Sequence, residues 1–163
     1  DLKPYGKNAM FTMECVSCHQ PMRNNDFVFT MPTQHTVASL PDTPLLKLHE
    51  WKVITSGIGK DPQTMSTLYG NERAVSGARK GAGYPADALL TLVTWKLRAD
   101  DHWFGAVIPG TVVTVEQVQF QPGNAAPLYK KYTGNKLVAD KAGEEEAKSR
   151  IAYIIRQRAA VMP

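Results

Sequence analysis

The run Cys15-Val16-Ser17-Cys18-His19 constrains this chain more than any other feature, because it has the C-x-x-C-H spacing at which c-type haem is attached. Two thiols at this spacing can bond to the two vinyl groups of haem, and the adjoining imidazole can serve as the proximal ligand of the iron. These two cysteines are the only ones in the 163 residues. We therefore expect one covalently attached haem c, held by Cys15 and Cys18, with His19 on the iron.

Other uses of a cysteine pair fit these residues less well. A thioredoxin-like redox pair needs a long helix after it, whereas Pro21 would stop an α-helix shortly after Cys18. A zinc site needs two further soft ligands, and the sequence has no second C-x-x-C and no H-x-x-H. A disulfide between Cys15 and Cys18 beside an unrelated histidine is the remaining alternative.

Composition excludes several classes of protein. Hydrophobic residues make up 43% and charged residues 21% of the chain, values typical of a globular domain. The formal charge of +4 comes without a block of Lys and Arg, so we expect no nucleic-acid partner. No apolar run is long enough to span a membrane.

The chain begins at Asp1 without a visible signal peptide, which we interpret as a processed protein. Because c-type haem is attached outside the bacterial cytoplasm, we expect a periplasmic location.

The residues before the motif predict a helix that bears the haem. Within 5–18, Met10 and Met13 recur at helical spacing on the way to the cysteines. We expect residues 1–35 to form a haem-attachment segment within a single domain that spans residues 1–163.

Four segments predict β-strands, and we place the sheet within residues 45–121. The segments are 51–55, 64–69, 88–97 and 111–120. The third is apolar on both of its faces, which predicts an interior strand that is covered on both sides. In the fourth, alternation places one set of side chains on a common face: Val112, Thr114, Glu116, Val118 and Phe120. Short connections between the strands favour an antiparallel sheet, and residues 121–140 are expected to be irregular.

Two further segments predict helices. One is short and covers 71–79; the other lies within 143–161 and runs from Glu144 to about Ala160. Three glutamates at the start of the second helix and arginines towards its end match the helix dipole. Its apolar stripe should pack against the core and consists of Ala147, Ile151, Ile154, Ile155 and Met162. The predicted fold class is α+β: an antiparallel sheet flanked by an N-terminal haem-bearing helix and a C-terminal helix.

Several short fragments, taken in order, resemble one family. They are DFVFT at 26–30 after the haem motif, WKVIT at 51–55, Tyr69-Gly70-Asn71 with Ala74, Tyr84-Pro85, VTWK at 93–96, and Ile108-Pro109-Gly110 before Val115-Glu116. The set resembles the cytochrome P-460 and cytochrome c′-beta family between residues 11 and 120.

The resemblance implies an antiparallel sheet with flanking helices, often in a homodimer, and one haem ligated by histidine on one side and open on the other. It implies binding of nitric oxide or another diatomic gas, or oxidation of hydroxylamine or a related nitrogen compound. The chain departs from the family in two ways. Its haem motif precedes the sheet. With the fragments aligned on Trp95, the lysine that cytochrome P-460 enzymes cross-link to haem would fall near Leu92, but neither Thr91 nor Leu92 is a lysine.

The second axial position of the iron determines the role of such a haem. An open position binds a gas, whereas a methionine ligand gives a six-coordinate electron-transfer cytochrome with a redox partner protein. Met65 is the alternative sixth ligand, but we expect it to belong to a strand and the iron to be five-coordinate. Weaker candidates are Met31, His35, His49 and His102.

Glu116 is the candidate catalytic residue. A carboxylate in an otherwise apolar strand is costly to bury unless it has a partner or a task, so Glu116 could serve as a distal acid–base group. The alternative is that it lies on an exposed sheet face. Four aromatic residues could supply walls of an open site: Trp95, Trp103, Phe104 and Phe120.

Overall fold

A computed structural model describes residues 16–25, 50–59, 63–81, 83–100 and 103–160. The chain divides into two compact units, Asp1–Val37 and Ala38–Pro163. In the first unit, residues 16–19 form a helical turn that continues as the 3-10 helix Gln20–Asn25. The α-helical hydrogen-bonding pattern therefore ends before Pro21, as expected from the absence of a proline N–H. The rest of the predicted haem-bearing helix lies outside the described residues.

The second unit contains a six-stranded antiparallel sheet whose strands are neighbours in chain order. The strands are β1 Lys52–Ile58, β2 Thr64–Gly70, β3 Leu89–Ala99, β4 Val107–Gln119, β5 Leu128–Thr133 and β6 Val138–Asp140. The predicted α+β class with an antiparallel sheet is confirmed. The expectation of an irregular chain over 121–140 is wrong, because that stretch contains β5 and β6, and the sheet extends past the predicted limit at residue 121.

Strand β3 lies in the interior of the sheet, as predicted. It pairs with β2 on one side and with β4 on the other. Leu90 and Leu92 on one face are at most 2% exposed, and Val93 and Trp95 on the opposite face at most 4%. A strand that is apolar on both faces is thus buried on both faces.

Among its described residues, the second unit has two α-helices, α1 Glu72–Lys80 and α2 Glu144–Ile155. Asn71 caps α1 by accepting a hydrogen bond from the backbone N–H of Ala74 at 2.9 Å, and Gly81 ends it in the left-handed conformation. Helix α2 ends earlier than predicted. The chain after it runs back to the sheet edge, where the N–H of Ala160 donates to the carbonyl of Ile54 at 2.8 Å.

Both helices pack on the same face of the sheet, which we call the helix-covered face. Ala74 and Val75 of α1 and Ile154 of α2 are buried there against Leu68, Leu90, Leu92 and Val118. The opposite face, called the second face, has its own cluster, consisting of Val93, Trp95, Val112, Val115, Tyr132 and Leu137. The central strands therefore contribute to two separate cores.

A bulge in β4 changes which residues share a face. Thr94 lies opposite Thr114, but Trp95 lies opposite Val112, so Val113 is an extra residue in β4. Val112 consequently packs with Trp95 on the second face, and it does not share a face with Glu116. The prediction of a common face was wrong for Val112 because simple alternation cannot anticipate an inserted residue.

Candidate functional site

Cys18 and His19 are adjacent residues of the helical turn in the first unit, and both are exposed. Cys18 has a free thiol. Cys15 lies just outside the described residues. A thiol and an imidazole that are open to solvent leave room for a large prosthetic group, and covalent attachment of haem to them stays a prediction.

Apart from the haem motif, the described residues offer no donor set for a metal ion. Within them, no group of three or more His, Cys, Asp or Glu side chains lies close enough together to hold one. His35, His49, His102 and Met31, the weaker candidates for the sixth position, lie outside the described residues.

Met65 is a strand residue, as the sequence predicts. It is half-buried in β2, lies opposite Trp95 of β3 and packs against the cluster of the second face. Its side chain therefore contributes to the packing of the sheet. Whether it ligates iron stays a prediction.

The four aromatic residues that could wall a site lie in different places. Trp95 is 4% exposed on the second face, and the ring centroid of Phe120 lies 5.1 Å from that of Tyr84. Trp103 and Phe104 occupy the turn between β3 and β4, and both side chains are exposed. Whether they wall a site stays a prediction.

Thr91, next to the Leu92 position near which the resemblance places a cross-linking lysine, is fully buried, and its hydroxyl has no hydrogen-bond partner among the described residues. A threonine side chain has no amine with which to form a lysine-type bond to haem. This residue lies in β3 directly opposite Tyr69 of β2 and Gln117 of β4. Burial raises the pKa of the Tyr69 phenol, while a hydrogen bond with Thr67 lowers it by a smaller amount.

Glu116 is buried and has partners for both of its carboxylate oxygens. Its residue exposure is 2%, so the alternative of an exposed sheet face is wrong. Arg150 donates from Nε to Oε1 at 2.8 Å and from Nη2 to Oε2 at 2.6 Å, and the hydroxyl of Tyr129 donates to Oε1 at 2.5 Å. Such a two-bond pairing of guanidinium and carboxylate is the strongest form of ion pair.

The partners of Glu116 come from two different elements, α2 and β5. Arg150 also lies over the ring of Tyr153, with its guanidinium carbon 4.7 Å from the ring centroid. The hydrogen bond to Glu116 raises the pKa of Arg150. Burial, and then the hydrogen bond to Glu116, raises the pKa of Tyr129. Both donors therefore keep their protons. The hydrogen bonds from Arg150 and Tyr129 to Glu116 hold α2 and β5 together with β4. An acid–base role for Glu116 stays a prediction.

Sequence reasoning missed Arg150 and Tyr129 as partners of Glu116. A signal was present for Arg150, which lies four residues before the core residue Ile154 and so on the same side of α2. A buried carboxylate needs a cationic partner, and the arginine on the apolar side of the last helix is the natural choice.

No protein-family model matches the chain, and no curated protein matches it. In the described part of the chain, none of the helices has the length and apolar character needed to cross a membrane.

Proposed function

We propose that the chain is a mono-haem c-type cytochrome in which Cys15 and Cys18 hold the haem and His19 provides the proximal ligand. The observation that carries this proposal is the C-x-x-C-H run, the spacing that thioether attachment requires. The free, exposed thiol of Cys18 and the exposed imidazole of His19 support it. When bound, haem would supply an iron centre for one-electron transfer or for a diatomic ligand.

The role that fits best is binding of a diatomic gas such as nitric oxide, or transfer of single electrons, in the bacterial periplasm. The resemblance to cytochrome P-460 and cytochrome c′-beta supports this role, with a redox partner protein and a second copy of the chain as partners. Hydroxylamine oxidation is less well supported, because neither Thr91 nor Leu92 has an amine for a cross-link to haem.

The haem itself is tested by the pyridine haemochrome spectrum and the mass of the purified protein. We expect the spectrum of a haem with two thioether bonds and a mass equal to the chain plus one unmodified haem. An additional protein–haem bond together with a red-shifted Soret band would favour hydroxylamine oxidation. A haem-free chain with a Cys15–Cys18 disulfide would refute the proposal.

The open axial position is tested by electron paramagnetic resonance of the ferric protein. We expect a high-spin signal, because Met65 belongs to the packing of the sheet, and we expect the ferrous protein to bind carbon monoxide. Met65→Leu keeps the side-chain volume while removing the thioether, and Met22→Leu is the matched control in the 3-10 helix. Neither change should alter the signal. A low-spin signal that disappears in Met65→Leu alone would identify a six-coordinate His/Met electron carrier instead.

A further inference from the structure

A cavity of about 330 Å³ lies on the helix-covered face beside the Glu116–Arg150 pair. Leu92 of β3, 2% exposed, contributes an apolar surface, and Ser66 and Thr94 contribute hydroxyl groups. Ser66 and Thr94 are directly opposite each other in the pairing of β2 with β3. Arg150 and Tyr153 of α2 also line the cavity. Thr64 is a further hydroxyl-bearing residue of the lining, so the cavity combines an apolar surface, several hydroxyls and one guanidinium.

The guanidinium of Arg150 is held in place before any ligand arrives. Two of its N–H groups bond to Glu116, and its carbon lies over the ring of Tyr153. A guanidinium has five N–H groups, so three remain beyond those that bond to the carboxylate. The side chain is 35% exposed, which leaves this group accessible from the cavity. A fixed donor of this kind orients a ligand at little entropic cost.

The charges around the cavity favour a neutral ligand. The positive charge of Arg150 is already matched by Glu116, whose side chain is 3% exposed. The neighbouring cation Lys131 is paired with Glu146 at 2.8 Å and with Asp140 at 3.3 Å. An anionic ligand would therefore compete with Glu116 for the same guanidinium, whereas a carbonyl oxygen can accept from the remaining N–H groups without adding charge.

We propose that this cavity binds a small neutral molecule with a carbonyl group on a single apolar ring. The carbonyl oxygen accepts a hydrogen bond from Arg150, the ring lies against Leu92, and polar substituents meet Ser66 and Thr94. The volume is near the lower limit of about 300 Å³ for ligand pockets, which suits one ring. The proposal is independent of the haem, because every residue it uses belongs to the sheet and to α2.

Calorimetric titration of the full chain with three probes of similar shape tests the ligand class. Benzamide has the neutral carbonyl, benzoate replaces it with a charge, and toluene has no acceptor. A hydrogen bond to a charged group corresponds to about tenfold to a hundredfold in affinity, so toluene should bind weaker than benzamide by that factor. Benzoate should also bind more weakly than benzamide. Equal affinity for benzamide and toluene, or tighter binding of benzoate, would overturn the proposal.

Variants test the location of the site. Ser66→Phe fills the cavity and should abolish benzamide binding, provided that its unfolding temperature shows a folded protein. Thr94→Val removes one hydroxyl at constant shape and should weaken binding about threefold to tenfold. Thr133→Val is the matched control, since Thr133 lies in β5, two strands from β3 and outside the cavity. If both threonine variants bind benzamide equally well, the site lies elsewhere and the proposal fails.

Discussion

Replacing Cys15 and Cys18 together by Ala is expected to abolish covalent haem attachment. Each thioether bond joins one cysteine sulfur to one vinyl group, so the double variant has no atom with which to form either bond. Protein separated on a denaturing gel should show no haem stain, and its mass should equal that of the chain alone. Each single replacement should leave one thioether bond and give the pyridine haemochrome spectrum of a haem with one remaining vinyl group.

The matched control is Ser17→Ala, which changes a residue inside the motif while keeping both thiols and the imidazole of His19. It should retain covalent haem at the level of the unchanged protein. Haem that stays covalently bound in the double cysteine variant would show that the motif does not hold it. Loss of haem in Ser17→Ala to the same extent would mean that the assay measures folding, and the interpretation of the motif would then lose its support.

Local signals were sufficient to predict much of the sheet unit. Helix α1 lies between an asparagine cap and a left-handed glycine, Asn71 and Gly81, and both signals are visible in the sequence. Strand β3 could be recognised because apolar residues fill both of its faces. In these elements the residue types and their spacing agree with the structure they adopt, so local reasoning was enough.

Strands β5 and β6 were missed because their local signal is weak. Strand β5 reads LYKKYT, with two adjacent lysines, and β6 has only three residues, all exposed. The side chain of Lys131 is 20% exposed, and Glu146 of α2 and Asp140 of β6 neutralise its charge. The stability of β5 thus depends on partners that are distant in the sequence, and the residues of β5 alone do not predict them.

The candidate site likewise has one part that a local pattern predicts and one part that depends on distant residues. The haem motif is a local pattern of five residues and could be found at once. The partner of Glu116 was missed, because Arg150 is 34 residues away in another element and only its position on the side of α2 that carries Ile154 pointed to it. The burial of Glu116 was anticipated only as one of two alternatives. Single-sequence reasoning identifies a carboxylate in an apolar strand, but the tertiary fold decides what it contacts.

The Glu116–Arg150 pair gives the largest expected effect on stability. Arg150→Met should lower the free energy of unfolding by about 3 kcal/mol, because it leaves the carboxylate of Glu116 buried without its cation. We place the effect at the lower end of the range for broken buried pairs, since Tyr129 still donates to Oε1 and the guanidinium is 35% exposed. Urea unfolding followed by far-ultraviolet circular dichroism measures the change.

A charge-matched control and a double variant distinguish the contribution of the ion pair to stability from that of other residues in α2. Arg156→Met removes an exposed arginine at the end of α2 and should change stability by less than about 0.5 kcal/mol. Glu116→Gln combined with Arg150→Met removes both charges, so it should be more stable than Arg150→Met alone by about 1 kcal/mol or more. If Arg150→Met costs no more than Arg156→Met, the ion pair does not fasten α2 onto the sheet. Since Arg150 also lines the proposed ligand cavity, a stable Arg150→Met protein would then allow its role in benzamide binding to be measured directly.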